Sequence, residues 1–123
     1  MDDRISRALS RGHLIDITTT GRQSGEPRRI ELVFHNIDGR IYISGMPGRR
    51  RSWIANLEAQ PEFTFHLKGA VSADLPARAR VITDPAERRA VLTRVAQAWR
   101  RTDIDRMVDS SPLIEVEILD RAA

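Results

Sequence analysis

The chain has 123 residues, 41% of them hydrophobic, so one compact domain over residues 1–123 is expected rather than two. The 20 Lys and Arg residues exceed the 17 Asp and Glu residues by a net charge of +3, which is modest for a nucleic-acid-binding protein. Cysteine is absent, which excludes disulfides, thiolate metal sites, iron–sulfur clusters and cysteine nucleophiles.

The first part of the chain is predicted to form one helix and three strands. The helix is expected at residues 3–10. Alternation of apolar and polar residues then predicts strands at Leu14–Thr19, Arg28–Ile37 and Arg40–Ser44. Asp38-Gly39 between the last two strands is a strong signal for a two-residue hairpin.

A second helix and two more strands follow a break in the sheet pattern at Met46–Gly48. Ser52–Ala59 has helical composition. Residues 63–68 alternate between apolar and polar, and the odd-numbered positions of Val71–Val81 are all apolar, which predicts two antiparallel strands. Pro76 has no N–H to donate, so the second strand is expected to be an edge or to carry a bulge there.

The last part of the chain combines a long helix with a sixth strand. Asp84 is the expected N-cap, with Pro85 at the first helical position and Glu87 completing a capping box. The apolar face of this helix is predicted to consist of Val91, Val95, Ala98 and Trp99, with Trp99 as a core residue. Leu113–Leu119 alternates as a strand that can close the sheet. We therefore expect a mainly β (α+β) domain, a six-stranded antiparallel barrel with flanking helices.

Several classes of chemistry have no matching pattern in the chain. The histidines, His13, His35 and His66, lack metal-ligand spacing, so we expect satisfied strand residues and no metal site. No serine has nucleophile-elbow surroundings, and no phosphate-binding P-loop is present. No run approaches the ~20 apolar residues of a membrane span, and no signal core opens the chain, so a cytoplasmic protein is expected.

The connection between the first two strands has the composition of an anion-binding loop. It contains two glycines, a serine and three arginines, namely Gly21, Gly25, Ser24, Arg22, Arg28 and Arg29. Glycines let successive N–H groups converge, and guanidinium groups fit phosphate or carboxylate. The same residues are also typical of an ordinary hairpin with a basic, solvated tip, so local chemistry leaves both interpretations open.

A second basic segment, Arg49–Arg51, precedes a helix, where free N–H groups favour anions. If the barrel brings it beside the glycine–arginine loop, two basic segments would flank one groove. Ser44–Pro47 would then form a wall that a flat ring could approach, with Trp53 and Asn56 beneath it.

Three segments, in this order, resemble the deazaflavin (F420)-dependent nitroreductase family. They are Thr18-Thr19-Thr20-Gly21-Arg22-x-Ser24-Gly25-x-x-Arg28, Ile41-Tyr42-Ile43-Ser44-Gly45 and Trp53-x-x-Asn56-Leu57. The resemblance covers roughly residues 14–82. It implies a split β-barrel of the pyridoxamine phosphate oxidase type and a small reductase that uses reduced F420.

The resemblance also implies the residues of a cofactor site. Arg22, Ser24 and Arg28 would hold the phosphate and the acidic tail, and Ser44, Gly45 and Met46 would lie along the deazaflavin ring. Ser44 is also our expected catalytic residue, with solvent or a water bound to Ser44 as the proton source. The full set of expected cofactor-binding residues is Arg22, Gln23, Ser24, Gly25, Arg28, Ser44, Gly45, Met46, Pro47, Trp53 and Asn56.

The sequence departs from the family pattern at several positions. Gln23 stands where members often carry Lys, and Glu31 stands where many carry Pro. The segment Arg101–Ser111 lacks the tyrosines that some members use near the substrate. Cofactor binding is therefore better supported than reduction of nitroimidazoles, which we expect to be slow or absent.

The leading hypothesis is a reductase that passes a hydride from reduced F420 to a small electrophilic molecule. One alternative keeps the barrel and exchanges the cofactor for flavin mononucleotide (FMN). Others are a barrel that binds a cofactor without turnover and a non-enzymatic nucleic-acid module. The nucleic-acid module is disfavoured because only six aromatic residues are present, too few for stacking platforms. A small-molecule substrate is expected, with either a monomer or a homodimer.

Overall fold

A computed structural model describes residues 2–119 of the chain, which contain four helices and six strands. The elements are α1 (Asp3–Arg11), β1 (Leu14–Thr20), β2 (Pro27–Ile37), β3 (Arg40–Ser44), α2 (Ser52–Ala59), β4 (Glu62–Leu67), β5 (Ala73–Val81), α3 (Pro85–Trp99), α4 (Ile104–Ser110) and β6 (Leu113–Ile118). The expected single domain over residues 1–123 also includes Met1 and residues 120–123, which lie outside the described residues. No helix of the described part is long and apolar enough to cross a membrane.

The six strands close into one antiparallel barrel, which confirms the expected fold class. Their order around the barrel is β1-β2-β3-β6-β5-β4, and β4 pairs back with β1. The hairpin between β2 and β3 is closed by Asp38 and Gly39, both with positive φ (54° and 86°), as a primed turn requires. Strand β5 lies between β4 and β6, so the expected edge at Pro76 is wrong: Pro76 pairs with Thr64 of β4, and its carbonyl accepts from the Leu119 N–H just before the β5–β6 ladder begins at Ala77.

The inward-facing positions of the strands fill the barrel with aliphatic and aromatic side chains. Phe34 and Phe65 meet edge to face at its centre, with ring centroids 5.2 Å apart. Trp53 and Leu57 of α2 pack into the same core, and α1 adds Leu9. A second buried cluster lies outside the barrel, where α3 and α4 cover the outward face of β3.

Two details of α3 differ from the sequence prediction. Asp84 caps the helix by accepting from the Glu87 N–H (2.9 Å), but the Glu87 carboxylate pairs with Arg80 on β5 instead of completing a capping box. Ala98 is exposed, and the buried face consists of Val91, Leu92, Val95 and Ala96. Trp99 is half-buried at the edge of this cluster, with its ring against His35.

Helix α4 was not predicted from the sequence. Ile104, Met107 and Val108 recur at helical spacing and pack against the second cluster, with Met107 fully buried. The segment is only seven residues long and contains charged residues, so its apolar periodicity is too short to predict a helix from the sequence.

A network of charges covers the outer face of the barrel at β1, β2 and β4. Asp16 accepts hydrogen bonds from Lys68 (2.8 Å) and from Arg29 (2.9 Å), and Lys68 also contacts Glu31. The Lys68 hydrogen bond, followed by that of Arg29, lowers the pKa of Asp16. Asp16 therefore stabilises the fold mainly when it is ionised.

The first prediction concerns this network. Stability contributed by Asp16 is present above its unfolded-state pKa of about 3.9 and is lost as the pH falls through its lower folded-state pKa. We expect Asp16→Asn to flatten the decline of unfolding free energy on acidification below about pH 5 in urea titrations. Asp105→Asn, whose carboxylate is 92% exposed, is the control. Equal acid sensitivity of the wild type and Asp16→Asn would contradict the assignment.

Candidate functional site

The connection between β1 and β2 forms a compact loop with its own hydrogen bonds. The Gly21 N–H donates to the Glu26 carbonyl (2.8 Å), and the Gly25 N–H donates to the Gly21 carbonyl (2.8 Å). The Ser24 hydroxyl accepts from the Glu26 N–H at 3.1 Å. Gly25 has a φ of +72°, which favours glycine, so this residue serves the turn itself.

Gly21 is required for a different reason. A Cβ atom at this position would lie 2.7 Å from the Ser24 hydroxyl and 3.2 Å from the Glu26 carbonyl. With a side chain at position 21, the Ser24 hydroxyl, which accepts from Arg28 Nη2 at 3.3 Å, would therefore have to move.

Asn56 of α2 ties this loop to the barrel. Its side-chain oxygen accepts from the Arg22 backbone N–H (3.1 Å) and from the Arg22 guanidinium (3.2 Å). Its side-chain NH2 donates to the hydroxyl of Thr19 at 3.2 Å. Both Asn56 and Thr19 are buried, so the carboxamide is held in place and fixes the start of the loop.

A cleft of about 420 Å³ opens between this loop and the first turn of α2. Its walls are formed by Thr19, Gly21, Arg22, Gln23, Ser24, Arg28, Arg29, Ile30, Ser52, Trp53 and Asn56. Within residues 2–119, neither Arg22 nor Arg28 forms an ion pair with a carboxylate, whereas Arg29 pairs with Asp16. The cleft therefore presents two uncompensated guanidinium groups, which suits an anionic ligand.

The structure brings together six of the expected site residues: Arg22, Gln23, Ser24, Arg28, Trp53 and Asn56. Gly25 lies in the same loop but outside the walls of the cleft. Trp53 is only 5% exposed, so most of its indole belongs to the barrel core. Asn56 contacts the loop through its side-chain oxygen and β1 through its side-chain NH2.

Ser44, Gly45, Met46 and Pro47, the expected wall for a flat ring, are not among the residues that line this cleft. Ser44 is 3% exposed, and its hydroxyl donates to the Pro112 carbonyl at 2.7 Å. A Cβ atom on Gly45 would lie 3.0 Å from the Pro112 ring, so the residues that follow β3 and precede β6 already pack closely there. Contact of these four residues with a ring stays a prediction.

The second basic segment does not share the cleft. Arg49, Arg50 and Arg51 line a separate depression of about 390 Å³ on the other side of α2. Arg51 donates to the Arg49 and Met46 carbonyls (2.8 and 2.7 Å), and Arg50 pairs with Glu58. Two of the three guanidinium groups thus have partners outside the cleft, in the same turn or on α2.

The histidines lie apart from the cleft. His66 Nε2 lies 2.7 Å from the Thr18 hydroxyl, and His66 Nδ1 lies 2.7 Å from the Asp74 carboxylate. The hydrogen bond between His66 and Asp74 lowers the pKa of Asp74. The expectation of satisfied strand residues is wrong for the other two. His13 lies just before β1 and is therefore not a strand residue. The buried Nε2 of His35 has no hydrogen-bond partner in the described part of the chain, and burial lowers the pKa of His35. Across residues 2–119 no group of His, Asp or Glu could hold a metal ion.

Sequence reasoning missed Thr19 as part of the site. Thr19 belongs to the inward-facing positions of β1, and a polar residue at a core position next to a loop was the available signal. The partner of its hydroxyl, Asn56, is 37 residues away in the sequence, so the pair could not be read from local spacing.

The chain is similar to known proteins in sequence and in fold. The sequence model of the F420H(2)-dependent quinone reductase family matches residues 1–119. Among solved structures, the conserved hypothetical protein Rv2991 from Mycobacterium tuberculosis is similar, with a TM-score of 0.74, 19% identity and coverage of 99% of this chain and 82% of that chain.

Two further structures share the barrel. One is an F420-H2 dependent reductase, FDR-A, with a TM-score of 0.63, 22% identity and coverage of 85% of this chain and 93% of that chain. The other is a Listeria innocua protein assigned as a pyridoxamine 5′-phosphate oxidase, with a TM-score of 0.69, 16% identity and coverage of 96% and 97%. These likenesses show the split-barrel fold.

Proposed function

Because the chain belongs to the F420H(2)-dependent quinone reductase family, we propose that it is an oxidoreductase that reduces a small electrophilic acceptor with F420H2. The observation that supports a cofactor site in this chain is the pair of uncompensated arginines that line the cleft. Arg22 lies on the loop that Asn56 anchors, and Arg28 lies at the start of β2. F420 carries a phosphate and a carboxylate tail, and planar guanidinium groups bind both.

The residues of the cleft fit such a group. The absence of a Cβ at Gly21 leaves room for the Ser24 hydroxyl, which bonds the Arg28 guanidinium, and Asn56 holds Arg22 in the same cleft. When bound, reduced F420 supplies the hydride from its deazaflavin ring. Arg22 and Arg28 would bind the anionic end, and Trp53 would exclude water from the inner end of the cleft.

A flavin mononucleotide protein remains the second candidate, because the phosphate of FMN suits the same arginines. Separate fluorescence titrations with oxidised F420 and with FMN distinguish the two cofactors. We expect tighter binding of F420, weakened by salt because the arginines are partly exposed. Tighter binding of FMN would reverse the assignment.

A second prediction concerns Asn56 as a residue that positions Arg22. We expect Asn56→Leu, which is similar in size, to weaken F420 binding about tenfold, because Arg22 loses the partner of its N–H and guanidinium groups. Asn36→Leu is the control, because its carboxamide bonds Leu9 and Gly39 away from the cleft. A loss of stability in both variants, with unchanged affinity in both, would contradict the positioning role.

The third prediction concerns the acceptor. Arg101 lowers the pKa of Asp103 in the segment that replaces the family's tyrosines, so this carboxyl is a poor proton donor near neutrality. We expect stopped-flow oxidation of F420H2 to be faster with a quinone or an enone than with a nitroimidazole. Rapid turnover of a nitroimidazole would contradict this expectation.

The catalytic role of Ser44 stays part of the proposal. Its hydroxyl is buried against Pro112, so an effect on proton delivery would have to act through the β3–β6 junction. Ser44→Ala is expected to change turnover more than F420 affinity, measured in the same stopped-flow experiment. Undiminished turnover in this variant would remove Ser44 from the mechanism.

Homodimerisation, which rests on the resemblance to split-barrel proteins, and a cytoplasmic location, which rests on the sequence, also belong to the proposal. Analytical ultracentrifugation across a range of protein concentrations tests the first, and fractionation of cells that express the full chain tests the second. A sedimentation coefficient that corresponds to one chain at every concentration would exclude the dimer.

A further inference from the structure

A groove runs along α1 at the end of the barrel away from the cofactor cleft. Its walls are Ala8 on α1 and the connection between β4 and β5 at Ala70 and Val71. Its inner part is lined by Leu14 and Leu67 together with Arg11, Gly12, His13 and Lys68. The inner part encloses about 190 Å³ and the outer part about 220 Å³. Strand β1 separates the groove from the cofactor cleft, a distance of about 20 Å over seven residues.

The charge of the groove has one sign. Arg4, Arg7 and Arg11 recur at spacings of three and four, so they lie along one side of α1 and border the outer part. None of the three forms an ion pair with a carboxylate of residues 2–119, and neither part of the groove is lined by Asp or Glu there. By contrast, Arg78 and Arg80 on the barrel surface are each paired with a carboxylate.

The apolar side of α1 is already used. Ile5, Ala8 and Leu9 pack against the barrel core, so the helix cannot insert this side into a bilayer as interfacial helices do. Beside α1, exposed apolar surface lies instead in the groove, where Leu14 is 37% exposed. A ligand that suits this groove would place an apolar part inside it and an anionic part at the arginines.

We propose that this groove binds a medium-chain carboxylate. The hydrocarbon chain lies in the inner part between Ala8, Val71 and Leu14, where it leaves water. The carboxylate lies at Arg4 and Arg7, about one turn or more before the C-terminus of α1, whose partial negative charge opposes an anion. This site is separate from the cofactor cleft and does not depend on the proposed reductase activity.

Isothermal titration of the full chain with octanoate tests the proposal, with 1-octanol and acetate as matched probes that lack the charge or the chain. We expect saturable binding of octanoate below its micellar range and at least about tenfold weaker binding of both probes. Arg4→Gln combined with Arg7→Gln should weaken octanoate binding about tenfold or more. Arg106→Gln on α4 should leave it unchanged.

Val71→Trp supplies an independent test, because a larger side chain would fill the groove and abolish octanoate binding with the arginines intact. Circular dichroism melting curves establish that each variant folds. Equal binding of octanol and octanoate, or unchanged affinity in the double arginine variant, would overturn the proposal. So would binding to anionic vesicles without binding of octanoate, or self-association of the chain through this groove.

Discussion

Arg28→Ala is expected to weaken the affinity for F420 roughly 10- to 100-fold while leaving the stability of the fold nearly unchanged. A hydrogen bond to a charged partner contributes about 1.5–3 kcal/mol, which corresponds to this range. The Arg28 guanidinium lies at the wall of the cleft and donates to the Ser24 hydroxyl, with no carboxylate of the described residues to compensate its charge. Fluorescence titration with oxidised F420 measures the loss.

The neighbouring arginine is a matched control for this result. Arg29 also lines the cleft, but its guanidinium donates to Asp16 at 2.9 Å. We expect Arg29→Ala to reduce F420 affinity less than about threefold, because the charge that it removes is already paired. If both substitutions weaken binding equally, the cofactor is attracted by the net charge of the loop. If Arg28→Ala unfolds the protein, the arginine is structural.

Much of the barrel could be predicted from the sequence because its signals are local. Alternation of apolar and polar residues marks each strand, and Asp38-Gly39 specifies the hairpin that sets the register of β2 and β3. Strand ends differ from the prediction by one or two residues, where pairing with a neighbour decides how far a strand extends. The exposed β1–β2 loop was found for the same local reason, its density of glycine and arginine.

The parts that escaped prediction depend on contacts between distant residues. Asn56 was expected to contact the cofactor, and only the fold shows that its carboxamide is bonded to Arg22 and Thr19. Gly45 was assigned to ring approach, and only the fold shows that a Cβ atom there would also lie 3.0 Å from the Pro112 ring. The arginine segment 49–51 had a composition suited to the cofactor cleft, but it lines a separate depression on the other side of α2.

Arg88 is the clearest residue of this kind, since nothing in its sequence neighbourhood marks it as structural. It lies on α3 and donates to four backbone carbonyls of other segments. Its Nε donates to Val108 (2.9 Å), Nη1 to Ile82 (3.0 Å), and Nη2 to Met107 (3.3 Å) and Ser111 (2.6 Å). One guanidinium group thus satisfies the C-terminal carbonyls of α4 and joins α3 to the barrel.

Arg88→Met is therefore expected to lower the free energy of unfolding by about 3 kcal/mol, because methionine keeps much of the apolar stem and leaves these carbonyls without a donor. Arg89→Met is the matched control: Arg89 is its neighbour on α3, and its guanidinium pairs with the exposed Asp105, so a change below about 0.5 kcal/mol is expected. Urea unfolding measures both variants, and hydrogen exchange of the α4 amides locates the loss. Equal stability of the two variants would show that α4 is held by its apolar contacts at Met107 and not by Arg88.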